Sequence, residues 1–179
     1  SCMIGNPAIS ILADAYAKGI RDYDIHKAYK IALNTCERSS NEKLGFSIRS
    51  DAFDSGSAGY AIGDFSISNT LELSYTEWCM SRLAEMLNHK DDYEKYLSLS
   101  KSYMNVFDSD KGWFRAKKED GSWAKWPEKG RLENGYGTVE SNPYQQGWFV
   151  PHDVEGMLEL MGGIEKVLPD LIYFFESTP

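Results

Sequence analysis

Five stretches of this chain repeat apolar residues every three or four positions, so it can fold as packed helices but not as an extended sheet. Asn6 and Pro7 make an N-cap and first-turn pair, and Ala8, Leu12, Ala15 and Tyr16 recur up to Gly19, which predicts a helix over 7–18. Asp24 can cap a second helix, with Ile25, Ala28, Tyr29, Ala32, Leu33 and Cys36 on one face. Asn69 and Glu72 resemble a capping box opening a long third helix, marked by Leu71, Tyr75, Trp78, Cys79, Leu83, Met86 and Leu87 and ended by Asn88. Asp91 and Asp92 suit the positive end of a fourth helix that carries Tyr93, Tyr96, Leu97, Tyr103, Met104 and Phe107. Val154, Met157, Leu158 and Met161 run to Gly162 and Gly163. A last helix starts at Ile164, and Pro169 is expected to kink or restart it before Leu171, Ile172 and Phe175.

Two connections break the pattern. Residues 38–67 fill with Ser, Gly, Asp and Asn and could hold short strands. Residues 108–152 carry turn signals at Asp110–Gly112 and Asp120–Gly121 around Trp113, Phe114 and Trp123, which predicts a small β-hairpin, and helical order is expected to resume only at Asp153. Helix pairs joined by long aromatic loops are what an α/α toroid shows. The expected fold is therefore all-α: three helical hairpins, about half of an (α/α)6 ring, in one partial domain over 1–179.

Composition removes several functions. A net charge of -8 and a pI near 4.9 leave no basic surface for nucleic acid. No apolar run approaches the roughly 20 residues that span a bilayer, and no basic stretch leads into a hydrophobic one as in a signal peptide. Cys2, Cys36 and Cys79 lack metal spacing, and Cys36 and Cys79 fall on apolar helix faces, as core residues do. The Ser55–Gly59 run is not the serine-hydrolase elbow, and neither a phosphate loop nor an H-E-x-x-H helix occurs. Asp108, Asp110 and Glu119 have calcium-loop spacing, but Trp113 stands where that loop needs glycine, so a plain turn is expected. His26 and His89 stand alone at helix ends and receive no role.

One non-helical segment, Val139-Glu140-Ser141-Asn142-Pro143-Tyr144-Gln145-Gln146-Gly147-Trp148, gathers a carboxyl, amides and aromatic faces. Aromatic neighbours raise a carboxyl pKa by desolvation, which suits a general acid. His152 could orient a water or a sugar hydroxyl, while Asp153 suits the N-cap of the following helix.

Several phrases together resemble the catalytic region of glycoside hydrolase family 92. They are Cys2-Met3-Ile4-Gly5-Asn6, Ala13-Asp14-Ala15-Tyr16, Lys18-Gly19-Ile20-Arg21, Ser68-Asn69-Thr70-Leu71-Glu72, Asn105-Val106-Phe107-Asp108, Gly112-Trp113-Phe114-Arg115, Asp120-Gly121-Ser122-Trp123 and Trp148-Phe149-Val150-Pro151-His152-Asp153-Val154-Glu155-Gly156. The resemblance implies that Glu140 is the general acid of an inverting exo-α-mannosidase, in a segment that in the family usually reads E-G-N-A-W-Q-Y-x-W. Asn142, Gln145 and Trp148 match it, whereas Ser141, Pro143, Tyr144 and Gln146 depart. Asn142, Tyr144, Gln145, Trp148 and His152 are the expected substrate contacts.

By the same resemblance, the substrate is terminal mannose, α-1,2-linked, on N-glycans or mannan. A calcium ion serves the complete protein, with no metal ligand expected among these residues. The general base, the calcium site, a preceding β-sandwich and the rest of the barrel lie outside the chain, whose Ser1 start and Pro179 end suggest an excised domain. Such a fragment is expected to be inactive alone and to self-associate, and the complete protein to be secreted, periplasmic or on the cell surface. The competing readings are a glycan-binding domain without catalysis and a helical scaffold for another protein.

Overall fold

Caps legible in the sequence set several helix ends, although Asn6 at the start of the first helix makes no side-chain cap hydrogen bond. The computed structural model describes residues 5–37, 40, 41, 46, 47 and 59–177. Helix α1 (Pro7–Ala17) ends where Gly19 takes φ of 85° and Ile20 N–H closes onto Ala15 O at 3.0 Å, a Schellman cap. Helix α2 (Ile25–Glu37) begins with Lys27 N–H donating to Asp24 Oδ1 at 3.0 Å. Strands β1 (Ser40–Asn41) and β2 (Phe46–Ser47) pair antiparallel in the first connection, with Ser40 opposite Ser47. Helix α3 (Ser66–Met86) ends at Asn88, whose φ of 62° lets His89 N–H reach Ala84 O at 2.9 Å. Then follow α4 (Lys90–Leu99), a 3-10 turn (Ser102–Val106), strands β3 (Phe107–Asp108) and β4 (Trp113–Phe114), a second 3-10 turn (Gly130–Leu132), and helices α5 (Pro143–Gln146), α6 (Val154–Leu160) and α7 (Ile164–Ser177). The chain is mostly helical, with a small antiparallel hairpin, as expected. Cys2 and residues 51–58 lie outside the described residues.

Four boundaries differ from the sequence expectations. Helix α3 begins three residues before Asn69, so the expected capping box does not form; Ile67 and Ser68 N–H instead donate to Gly137 O at 3.0 and 3.1 Å. The fourth helix stops at Leu99 rather than running to Phe107. Ser100, Tyr103 and Val106 are all fully buried at a spacing of three, which is the 3-10 period, so the apolar pattern continues while the helix type changes. Helix α5 arises inside a segment read as non-helical. Helix α7 continues through Pro169, giving up one backbone bond without restarting.

Helix α3 is the axle of the fold. Fourteen of its twenty-one residues are buried, many of them Ser or Thr. Several of these hydroxyls bond back within the helix: Thr70 Oγ1 donates to Ser66 O, Ser74 Oγ to Thr70 O and Thr76 Oγ1 to Glu72 O, at 2.6–2.9 Å. Small, internally bonded side chains let neighbours approach from every side. The C-terminal half of α3, with Cys79, Met80, Leu83 and Ala84, forms one core with α1, α2 and α4. Its N-terminal half, with Ile67 and Leu71, forms a second core with Tyr103, Val106, Trp113, Phe114, Tyr144, Val150 and Met157. Cys36 and Cys79 are buried in the first core, as read from their helix faces.

The last helix is apolar outward. Ile164, Leu168, Ile172 and Phe175 of α7 are 47–73% exposed and recur at helical spacing. Such a stripe seeks a partner. Residues 1–179 in isolation are therefore expected to associate at micromolar concentration, and the double variant Leu168→Glu, Ile172→Glu to sediment as a monomer. Equal sedimentation of the two proteins would remove α7 as the cause.

Candidate functional site

The segment that carries Glu140 is a bracket whose two stems are fixed independently of its tip. At one stem, Arg131 donates to both carboxylate oxygens of Asp170, Nη1 to Oδ2 at 2.6 Å and Nη2 to Oδ1 at 2.5 Å, and its guanidinium lies over the rings of Trp113 at 4.4 Å and Tyr144 at 4.1 Å. At the other, Tyr144 donates to Asp170 O at 2.9 Å and Oδ1 at 3.0 Å, while Trp113 Nε1 donates to Pro143 O at 2.7 Å. One carboxylate on α7 thus holds residues 131 and 144 together. Burial and the Asp170 hydrogen bond push the Tyr144 hydroxyl up to about 12.

Between the stems, α3 supplies the footing. Besides the Gly137 carbonyl that accepts from Ile67 and Ser68, Val139 N–H donates to Ser68 Oγ at 3.0 Å, and Ser68 Oγ donates to Gln146 Oε1 at 3.0 Å. Gly135 N–H and Thr138 Oγ1 both donate to Ser141 O, at 3.1 and 2.6 Å. The chain then enters α5 through a complete capping box: Asn142 Oδ1 accepts from Gln145 N–H at 2.9 Å, and Gln145 Oε1 accepts from Asn142 N–H at 3.2 Å.

At the tip, Glu140 is exposed and sits at φ of 51°. Among the described residues the other non-glycine at positive φ is Asn88, at a helix end where asparagine tolerates that conformation. Glutamate has no such local excuse. A non-glycine residue in the left-handed region costs on the order of 1 kcal/mol and persists where its surroundings over-determine it. Here they do, through the Gly137, Val139 and Ser141 hydrogen bonds on either side. The arrangement aims a carboxyl outward on a rigid turn.

The other sequence candidates divide into two groups. Asn142 and Gln145 face each other in the capping box, and Tyr144 and Trp148 join Trp113 and Phe174 in a T-shaped and tilted ring cluster with centroids 5.0–6.0 Å apart. These support the Glu140 turn; Tyr144 is only 5% exposed, and its hydroxyl is engaged by Asp170. Trp148 Nε1 is buried and has no hydrogen-bond partner among the described residues. His152 stands apart. Its Nε2 meets Ser100 O at 2.9 Å, and its ring lies against Tyr75, Trp78 and Tyr103. Tyr75 is seven residues past Ser68, roughly 10 Å further along the helix axis at 1.5 Å per residue. Burial pulls the His152 pKa down, so the ring packs as a neutral group.

Asp153 caps α6, accepting from Gly156 N–H at 3.4 Å, and also accepts from Lys101 at 2.6 Å and from the Tyr103 hydroxyl. Burial opposes its ionisation, but those donors hold its pKa below the usual carboxylate value. Asp108 is a turn residue, as the sequence suggested: it accepts from Asp110 and Lys111 N–H and pairs with Arg115 at 2.8 Å. Among the described residues no three His, Cys, Asp or Glu side chains converge as metal ligands would.

The desolvated setting expected for the Glu140 carboxyl is not supplied by these residues, which leave it exposed. Arg131, Asp170 and Ser68, which position the turn, are too distant in sequence for periodicity to connect. Helix α5 did have a local signal, the Asn142-Pro143 pair followed by Gln145.

The full chain, residues 1–179, matches the glycosyl hydrolase family 92 catalytic domain. It belongs to that family. It resembles the family 92 inverting mannosidase BT2199 of Bacteroides thetaiotaomicron at 31% identity and a TM-score of 0.87, covering 95% of this chain and 23% of that one. The family 92 α-mannosidase BT3965 of the same organism is 28% identical at a TM-score of 0.84, over 97% of this chain and 22% of that one. An uncharacterised secreted glycosidase of Arthroderma benhamiae is 28% identical over 97% of this chain and 26% of its own length. The chain thus spans about a quarter of these relatives. Among the described residues no helix is long and apolar enough to cross a membrane.

One outcome tests the bracket and a second tests the setting of His152. A Cβ on Gly137, at φ of 85°, would lie 2.8 Å from Ala116 Cβ and 2.9 Å from Ile67. Gly137→Ala should therefore destabilise the protein by about 2 kcal/mol or more in urea unfolding, well above the ordinary cost of a surface change. For His152, the unfolded chain binds a proton at histidine's ordinary 6.5, while the folded chain waits for a lower pH. In that window the unfolded state holds more protons, so stability should fall as pH drops below about 6.5. His152→Gln, which keeps a donor for Ser100 O, should flatten that slope; an unchanged slope would place its origin elsewhere.

Proposed function

We propose that this chain is the acid-bearing part of an α-mannosidase catalytic domain, with Glu140 as the general acid that protonates the departing glycosidic oxygen. The observation that carries the reading is the strained, exposed and rigidly footed Glu140 at the position matching the family's acid. Three of the four departures from the family's usual segment are absorbed into the scaffold. Pro143 opens α5, Tyr144 binds Asp170 and Gln146 accepts from Ser68. That favours a retained catalytic turn over a binding domain that has lost its chemistry.

The Glu140 carboxylic proton moves to the glycosidic oxygen as the anomeric C–O bond breaks, while a water attacks the opposite face and gives its proton to a base. In an inverting enzyme that base stands about 6.5–9.5 Å from the acid. It would come from the part of the domain outside this chain, as would the residues holding calcium and the walls that dry the Glu140 carboxyl. We further infer a substrate with terminal α-1,2-linked mannose, on N-glycans or mannan, and a secreted, periplasmic or cell-surface location, which agrees with the secreted fungal relative.

In a protein carrying the complete domain, Glu140→Gln should lower turnover on mannose disaccharides by roughly 100-fold to 10,000-fold with little change in binding. α-Mannosyl fluoride, whose leaving group needs little protonation, should lose far less. Equal losses on both substrates, or none, would take the acid role from Glu140.

A further inference from the structure

Glu140 is held in a backbone conformation that it would leave if its surroundings allowed. At φ of 51° the turn carries strain that any loosening of its ends would release, and the carboxyl would swing with the backbone as it relaxed. The hydrogen bonds of Gly137, Val139 and Ser141 flank the tip. What keeps the loop on both sides of them from shifting is the tie at the stems.

Both stems are tied by α7. Val167, Asp170 and Phe174 recur at helical spacing on its inward face, the first buried and the other two half-buried. Asp170 accepts from two N–H groups of Arg131 on one stem and from the Tyr144 hydroxyl on the other, and Phe174 packs edge-on against the Tyr144 ring with centroids 5.3 Å apart. The Arg131 and Asp170 side chains are 30% and 24% exposed, and the bidentate fork fixes their relative geometry. Tyr144 stands where the family segment usually has Trp, so the hydroxyl in this tie belongs to this chain's own sequence.

We propose that Asp170 and Tyr144 are positioning residues for the proton donor: together they fix Glu140 where its proton meets the glycosidic oxygen, and neither touches sugar. The inference rests on the acid role of Glu140. A slightly misplaced proton donor loses rate rather than binding, so the cost falls on kcat, and only for substrates whose leaving group needs a proton.

The test uses the complete protein with Tyr144→Phe, which keeps the ring and removes the hydroxyl, and Asp170→Asn, which keeps the shape and removes the charge. Each should lower kcat on a mannose disaccharide by roughly tenfold or more with KM nearly unchanged, the scale of a misplaced reacting group, while kcat on α-mannosyl fluoride changes far less. A merely structural loss would lower both substrates together, and a sugar contact at Tyr144 would raise KM for both; either result, or full activity on the disaccharide, overturns the proposal. Hydrogen exchange gives a readout that needs no activity. The Val139 N–H, bonded to Ser68 Oγ, should exchange roughly tenfold faster in Tyr144→Phe as the turn opens more often. Unchanged exchange overturns the clamp whatever Glu140 does. If Glu140→Gln shows the acid reading to be wrong while exchange at Val139 still quickens, the clamp stands as the support of the turn and only the proton donor is misassigned.

Discussion

Everything at the Glu140 end of the molecule depends on how the first turn of α3 is capped. A helix start leaves backbone N–H groups without intrahelical partners. Here they take the carbonyl of Gly137, seventy residues later in the chain. The usual solution, a side-chain cap, would have removed this tie between the helix start and the later loop. Because the cap is a loop carbonyl, the start of the central helix and the placement of the catalytic candidate are one event. Ser68 extends the anchorage by accepting from Val139 and donating to Gln146.

The same helix explains how two cores coexist in so short a chain. Ser66, Thr70, Ser74 and Thr76 would be costly inside a protein if their hydroxyls were unpaired. They bond back along the helix or out to neighbouring loops, as Ser66 does for Lys117 N–H and Thr70 for Ala61 N–H. Their small volume is what admits loops on one side and helices on the other. Ion pairing plays a local part, concentrated in the Arg131–Asp170 pair, where the fork geometry and two aromatic faces fix a guanidinium that a lysine could not replace.

Much of this was legible in the letters. Asp24, Gly19 and Asn88 set helix ends by local chemistry, and Asp110 to Gly112 marked the hairpin turn, because caps and turns depend on residues a few positions apart. The start of α3 was not legible, since its cap comes from a glycine carbonyl that no side-chain pattern marks. The helix type after Leu99 was misjudged because a spacing of three fits both helical periods over so short a run. At the site, Glu140 stood out through its resemblance, whereas its backbone conformation, its exposure and the Asp170 clamp emerge only from tertiary structure.

The left-handed backbone at Glu140 also makes this position a record of selection. A turn of this geometry is most comfortable with glycine or asparagine, and both lack a carboxyl. On the acid role proposed for Glu140, lineages that keep it hold glutamate against that conformational preference. Lineages freed from catalysis should drift toward the comfortable residues while the clamp and the capping box persist. Glycine or asparagine at this one position, in an otherwise intact segment, would then be a fossil of abandoned chemistry.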